Sequence, residues 1–208
     1  MGVIVAAIAM AAAVKPDLSR LVLRPSAVGV GFALHQRADG RGTAQRTLDL
    51  CGTSQYPSER LRVDRLQVDY TNRAVPLALS NEVVTYKPGG AAEAMREVAQ
   101  HARTCPHKPI AFEGQPPLVY TITRISDAKL LAGAIALRID VSGKINGKKV
   151  NAIRYAVYQR RGNVLSGVYS YAANGVSGAV QQAFVLHAAE ASAKTLRGSA
   201  SSGGGPPA

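Results

Sequence analysis

Residues 132–172 read AGAIALRIDVSGKINGKKVNAIRYAVYQRRGNVLSGVYSYA. Three segments rich in Ile, Val and Tyr, 132–143, 149–160 and 163–172, are separated by Asn146-Gly147 and Gly162-Asn163. Branched and aromatic side chains suit a pleated surface, and the two Asn/Gly pairs tolerate the positive φ of tight hairpins. The stretch predicts three consecutive antiparallel strands.

Upstream, LVYTITRI at 118–125 alternates Val119, Thr121 and Thr123 against Leu118, Tyr120 and Ile122, a further strand. In RLRVDRLQVDYTN, 60–72, the apolar Leu61, Val63, Leu66, Val68 and Tyr70 alternate apart from a slip at Asp64-Arg65, which predicts a β-bulge. Arg60, Arg62, Arg65 and Gln67 then share the wetter face. NEVVTYKP, 81–88, is another strand, leaving through a Lys87-Pro88-Gly89-Gly90 turn. From Ala91 to Thr104, the positions Ala91, Ala94, Met95, Val98, Ala102 and Cys105 step by three and four, the period of an amphipathic helix. Glu93, Arg96, Glu97, Gln100 and Arg103 fall on its other faces.

The remainder is less regular. Asp17 is placed to cap a short helix that Pro25 ends, and an extended piece surrounds Phe32–Leu34. The polar, Gly- and Arg-rich His35–Thr47 reads as a loop, and HKPIAFEGQPP at 107–117 as a proline-rich connector. A last helix runs from its cap, Ser177, to Leu196, and residues 198–208 form a flexible Gly/Ser/Pro tail. Length and pattern predict one α+β domain over 15–197: an antiparallel sheet with helices packed on one face.

Composition narrows the setting. The chain is 47% hydrophobic and 18% charged, a globular balance, and without Trp its core falls to Ala, Val, Leu and Ile. A net charge of +12 implies an anionic neighbourhood: nucleic acid, acidic lipid headgroups or wall polymers bearing phosphate or carboxylate. Residues 1–14 carry a signal-like apolar segment, GVIVAAIAMAAAV at 2–14, too short to span ~30 Å of hydrocarbon. It has the length of a secretory h-region, with Ala11-Ala12-Ala13 as a small-residue cleavage pattern, and predicts export to the cell envelope or beyond. Cys51 and Cys105 are then an even pair in an oxidising compartment. Zinc or a free nucleophile are the alternatives, and zinc lacks ligands near Cys51. A disulfide is favoured; closing a loop of about 55 residues, it contributes ~4 kcal/mol.

Motifs for chemistry are sparse. No G-x-S-x-G elbow is present, the nearest string being Gly175-Val176-Ser177-Gly178. Glu93, Glu97 and His101 share a helix row but fall on the solvated face without a second ligand cluster, so no metal is expected, and no cofactor. Gly89-Gly90 opens a helix where phosphate can bind, yet the Lys-Ser/Thr of a P-loop is missing and a geometric role is favoured. Tyr155, Tyr158, Tyr169 and Tyr171 lie near Arg154, Arg160 and Arg161, the makings of a base-stacking platform. The export signal argues against nucleic acid.

The strings LCGTSQYPSERLRVDRLQVDY (50–70), NEVVTYKPGGAAEAMREVAQHARTCP (81–106) and YAVYQRRGNVLSGVYSY (155–171), followed by an Ala-rich helix, resemble a group of actinobacterial exported, sensor-domain-like proteins. More loosely, the arrangement is similar to the extracellular sensor domain of the mycobacterial Ser/Thr kinase PknH. The resemblance implies a non-catalytic, disulfide-containing binding or sensing domain outside the membrane, with a groove between sheet and helices. This chain departs from the PknH pattern in having one cysteine pair instead of two bridges, and no kinase or spanning helix is attached. The expected function is an envelope domain binding an anionic or amphipathic ligand (a lipid, polymer or small molecule, at a membrane surface or free), with Arg60, Arg62 and Arg65 as its cationic surface. A wall-associated hydrolase assembled from distant residues, and a purely structural module, are the alternatives.

Overall fold

The structure, a computed structural model, describes residues 17–52, 56–105, 107–111, 116–172 and 175–199. The signal-like run at 2–14 and the tail from residue 200 lie outside the described residues. In chain order the elements are α1 (Pro25–Val28), β1 (Ala33–Arg41), β2 (Arg62–Thr71), β3 (Leu77–Tyr86), α2 (Gly90–Thr104), β4 (Leu118–Ile125), β5 (Ile135–Ile145), β6 (Lys148–Arg161), β7 (Val164–Ala172) and α3 (Gly178–Gly198). Short 3₁₀ turns occupy Leu18–Arg20, Leu50–Gly52 and Pro57–Leu61.

The strands form one seven-stranded antiparallel sheet, ordered β1-β2-β3-β7-β6-β5-β4. The hairpins predicted from 132–172 are its centre and one flank. Ile145 pairs with Lys148 across Asn146 and Gly147, at φ 51° and 75°, and Arg161 pairs with Val164 across Gly162 at φ 56°. These are the left-handed conformations that Asn and Gly accept most readily.

The helices do not share a face, as the sequence reading had them. α3 and the N-terminal segment cover one side, where Val185, Ala188 and Ala189 meet Val83, Val157 and Val168, and Leu18, Leu23 and Val28 meet Val68 and Tyr70. α2 and the turns before β2 cover the other, where Ala91, Ala94 and Val98 meet Val84, Leu137, Ala156 and Leu165. Central strands are therefore buried on both sides, and Tyr155 to Gln159 are all buried in succession. An unbroken run of this kind is the mark of a strand covered twice.

Other departures lie at the N-terminal end. Asp17 caps only a 3₁₀ turn, its Oδ1 accepting from the Ser19 N–H at 3.0 Å. Pro25 opens α1 instead of ending a helix, at a position where its missing N–H costs nothing. His35–Arg41, expected as loop, belongs to β1. β1 is an edge strand exposed nearly throughout, so it has no buried side toward which to alternate. Only Gly40 is buried: a Cβ there would sit 2.4 Å from the Gln67 carbonyl oxygen. Ser177 caps α3 as expected, accepting from the Val180 N–H, and the helix continues to Gly198, two residues past the expected end at Leu196.

The disulfide joins Cys51 to Cys105 with Cα atoms 5.5 Å apart, pinning the turn after β1 to the end of α2. Around it Leu48, Leu50 and Tyr56 complete the α2-side core. Gly89 and Gly90 serve geometry. Gly89 is left-handed at φ 82°, and a Cβ on Gly90 would meet Tyr86 and Leu61 at 2.9 and 3.0 Å.

Candidate functional site

The three arginines expected to form a cationic surface do not stay together. The β2–β3 register shifts between Arg62 and Asp64, a bulge just before the predicted slip, and it sets Arg62, opposite Tyr86, and Arg65, opposite Val84, on the same side of the sheet. Val63 turns outward, 47% exposed, and Arg65 turns in. Arg60 remains exposed on its 3₁₀ turn. The Arg62 side chain is 5% exposed, paired with Glu59 at 2.9 Å and donating to the Thr43 carbonyl at 2.8 Å. Arg65 is 3% exposed, in a salt bridge with Glu82, and donates to Gln67 Oε1 and the Asp39 carbonyl. Arg62 and Arg65 thus hold the Asp39–Leu48 segment onto the sheet instead of facing solvent.

The row Glu93, Glu97, His101 is also broken up. Glu97 is buried, accepting from both the N–H and hydroxyl of Ser58. His101 packs on Tyr56 with ring centroids 4.6 Å apart, and burial holds its pKa down against the pull of Glu97. The tyrosine platform divides between faces: the Tyr155 hydroxyl donates to Gly178 on the α3 side, while Tyr158 packs edge-on against Tyr169 on the α2 side.

Among the described residues, hollows lie on the α2 side and at the β4–β5 end. A cleft of about 370 Å³ lies between α2 and the β4–β5 connection. Its floor is Ala92, Met95, Ala99 and Ile135, and Arg96 of α2, Arg124 of β4 and Arg160 of β6 stand around it. Arg96 is paired with Glu93 on its own helix. Among the described residues Arg124 and Arg160 have no carboxylate partner; Arg160 reaches only the Gly162 carbonyl, at 3.2 Å. A wider crevice of about 550 Å³, formed by residues 124–136, adjoins it through Arg124 and Gly133. The third hollow, about 110 Å³, is polar and lies between residues 46–49 and strands β2, β3 and β7.

No protein-family model and no curated protein matches the sequence. Among solved structures, the extracellular domain of PknH from Mycobacterium tuberculosis matches with a TM-score of 0.52 at 12% identity, over 85% of this chain and 94% of that one. The chain folds like that domain. The likeness to PknH is one of architecture, and the side chains around the clefts are read from this chain alone. Among the described residues no helix is long and apolar enough to cross a membrane.

Nothing in one sequence marks Arg96, Arg124 and Arg160 as neighbours, since they come from a helix and two strands far apart in the chain. The one available signal was local: no acidic residue stands beside Arg124 or Arg160 in sequence. Asp49, in the polar hollow, was not singled out either. Asp49 is exposed, yet the protein packed around its carboxyl pushes its pKa up, with Arg154 pulling it down. A carboxylate whose folded pKa is raised destabilises the fold above that pKa and ceases to do so below its unfolded value, near 3.8. Asp49→Asn is expected to be the more stable protein at pH 7, with the difference closing as pH falls toward 3.8. Thermal melts of both proteins across pH 7 to 3.5 check this; a constant gap would place the effect elsewhere than in titration.

Proposed function

We propose that this chain is an extracytoplasmic, non-catalytic sensing or binding domain that takes an anionic amphiphile in the cleft between α2 and β4–β5. The observation that carries the reading is three guanidinium groups around an apolar floor, two of them without acidic partners among the described residues. Guanidinium forks bind phosphate or carboxylate through paired, charge-assisted hydrogen bonds. The floor removes apolar ligand surface from water at about 25 cal/mol per Å². A volume of about 370 Å³ is within the range of small-ligand sites, ~300–1,000 Å³.

The setting is consistent with this. A disulfide persists in oxidising compartments, the apolar run at 2–14 reads as an export signal, and the fold likeness is to an extracellular domain. The net charge of +12 favours encounter with anionic ligands.

Dodecyl phosphate, titrated calorimetrically below its micellar concentration, tests the proposal. Binding is expected to weaken by about tenfold, roughly 1.4 kcal/mol, or more in the Arg124→Gln/Arg160→Gln protein. It should also weaken with salt, since exposed charges are screened beyond ~8 Å at physiological ionic strength. Equal affinity for dodecyl phosphate and the neutral dodecyl maltoside would reject the charge-reading role of the arginines.

A further inference from the structure

The polar hollow is built differently from the arginine cleft. Gln67 of β2, Glu82 of β3 and Tyr169 of β7 form its base, Arg46 and Asp49 its wall, and Tyr171 stands at the rim, 43% exposed. Charges of both signs meet here: Arg46 and Arg65, with Arg154 within electrostatic reach, around Asp49 and Glu82. Glu82 is fully committed, accepting from Arg65, from the Thr47 hydroxyl at 3.0 Å and from the Tyr169 hydroxyl at 3.1 Å. Gln67 gives its carbonyl oxygen to Arg65, which leaves its amide N–H groups open.

Among the described residues, Arg46 has no hydrogen-bonded or ionic partner, and the Asp49 carboxylate accepts a hydrogen bond only from its own backbone N–H, with Arg154 acting on it through space. The hollow therefore presents free donors on Arg46 and Gln67, a free acceptor on Asp49, and an aromatic ring beside them. An anion entering it would approach Asp49 and Glu82, and a cation would approach Arg46 and Arg65. A neutral molecule whose adjacent hydroxyls both donate and accept satisfies all of these groups at once.

We infer that this hollow binds one edge of a neutral sugar ring, with the hydroxyls on Asp49, Arg46 and Gln67 and the C–H face of the sugar over Tyr171. Its volume, about 110 Å³, equals three to four waters at ~30 Å³ each. It takes one edge of a terminal hexopyranose, and the rest of a glycan extends outward past Tyr171. Cleavage is not part of the role. Glu82 is saturated by its three donors, so Asp49 has no second carboxylate free to act with it.

The test is a titration of the ¹⁵N-labelled full chain with the methyl glycosides of glucose, galactose, mannose and N-acetylglucosamine. At least one is expected to shift the backbone amides of Asp49, Gln67 and Tyr171 with a dissociation constant on the order of 1 mM. Asp49→Asn and Tyr171→Ala, both at solvent-open positions, should each weaken that binding about tenfold. Arg124→Gln/Arg160→Gln should leave it unchanged, so failure here is distinguishable from failure of the amphiphile site. No shift at those amides by about 50 mM sugar, equal shifts with sodium phosphate, variants that titrate like the parent protein, or release of reducing ends from an oligosaccharide would each overturn the inference.

Discussion

Replacing Cys51 and Cys105 together by alanine is expected to lower the unfolding free energy by about 4 kcal/mol and the melting temperature by roughly 8–16 °C. The bridge spans a sequence separation of 54 residues, so its loss restores large conformational freedom to the unfolded chain. The fold also loses a local tie. The segment carrying Leu48, Leu50 and Tyr56 reaches the sheet only through loops and 3₁₀ turns, and the disulfide fastens it to the end of α2. Hydrogen exchange should accelerate between residues 46 and 61 before it does in β6 and β7, which are buried on both faces. Urea unfolding with and without reductant measures the total. A loss under about 1 kcal/mol would mean that the unfolded chain is already compact across this span.

How far the sequence shows this architecture depends on which residues are asked. Period-two alternation and the two Asn/Gly turns placed β4 to β7 closely, because both signals are local. The cysteine pair was legible because two cysteines in a chain read as exported leave few partners. Helix placement failed on a pattern that was nevertheless present. Tyr155-Ala156-Val157-Tyr158 is an unbroken apolar run, and it reports a strand covered on both faces. β1 failed for the opposite reason, since an edge strand wet on both sides carries no hydrophobic period at all.

The sites were less legible than the fold. Arg62 and Arg65 were assigned to solvent as the wetter face of β2; the bulge does set them on one side, opposite Tyr86 and Val84, but the Asp39–Leu48 segment covers that side, and nothing local in the sequence announces a covering loop. Charge alone does not say which arginine is paired. Arg65 meets Glu82 across neighbouring strands, a pairing set by register, and Arg124 has no carboxylate partner among the described residues because Asp140, the acidic residue of the adjacent β5, is paired with Arg138. Clefts assembled from α2, β4 and β6, or from β2, β3, β7 and a loop, exist only once the sheet order is known.

The buried pair itself predicts the other large effect. Arg65→Met is expected to cost about 3–5 kcal/mol, because it leaves the Glu82 carboxylate buried with only Thr47 and Tyr169 as donors. Burial already pushes the Glu82 pKa up, against the pull of Arg65, and without that cation it rises further. A carboxyl raised above its unfolded value, near 4.5, penalises the fold above the folded pKa and is relieved as pH falls toward 4.5. The deficit of Arg65→Met should therefore shrink on acidification. Arg65→Met combined with Glu82→Leu should recover most of the loss, since no charge is then left buried, so the two changes are far from additive. Urea denaturation of the parent, the single variants and the double variant at pH 7 and pH 5 supplies the cycle. Additive losses, or a deficit independent of pH, would show that Arg65 acts through its packing on Gln67 and the Asp39 carbonyl and not through the charge of Glu82.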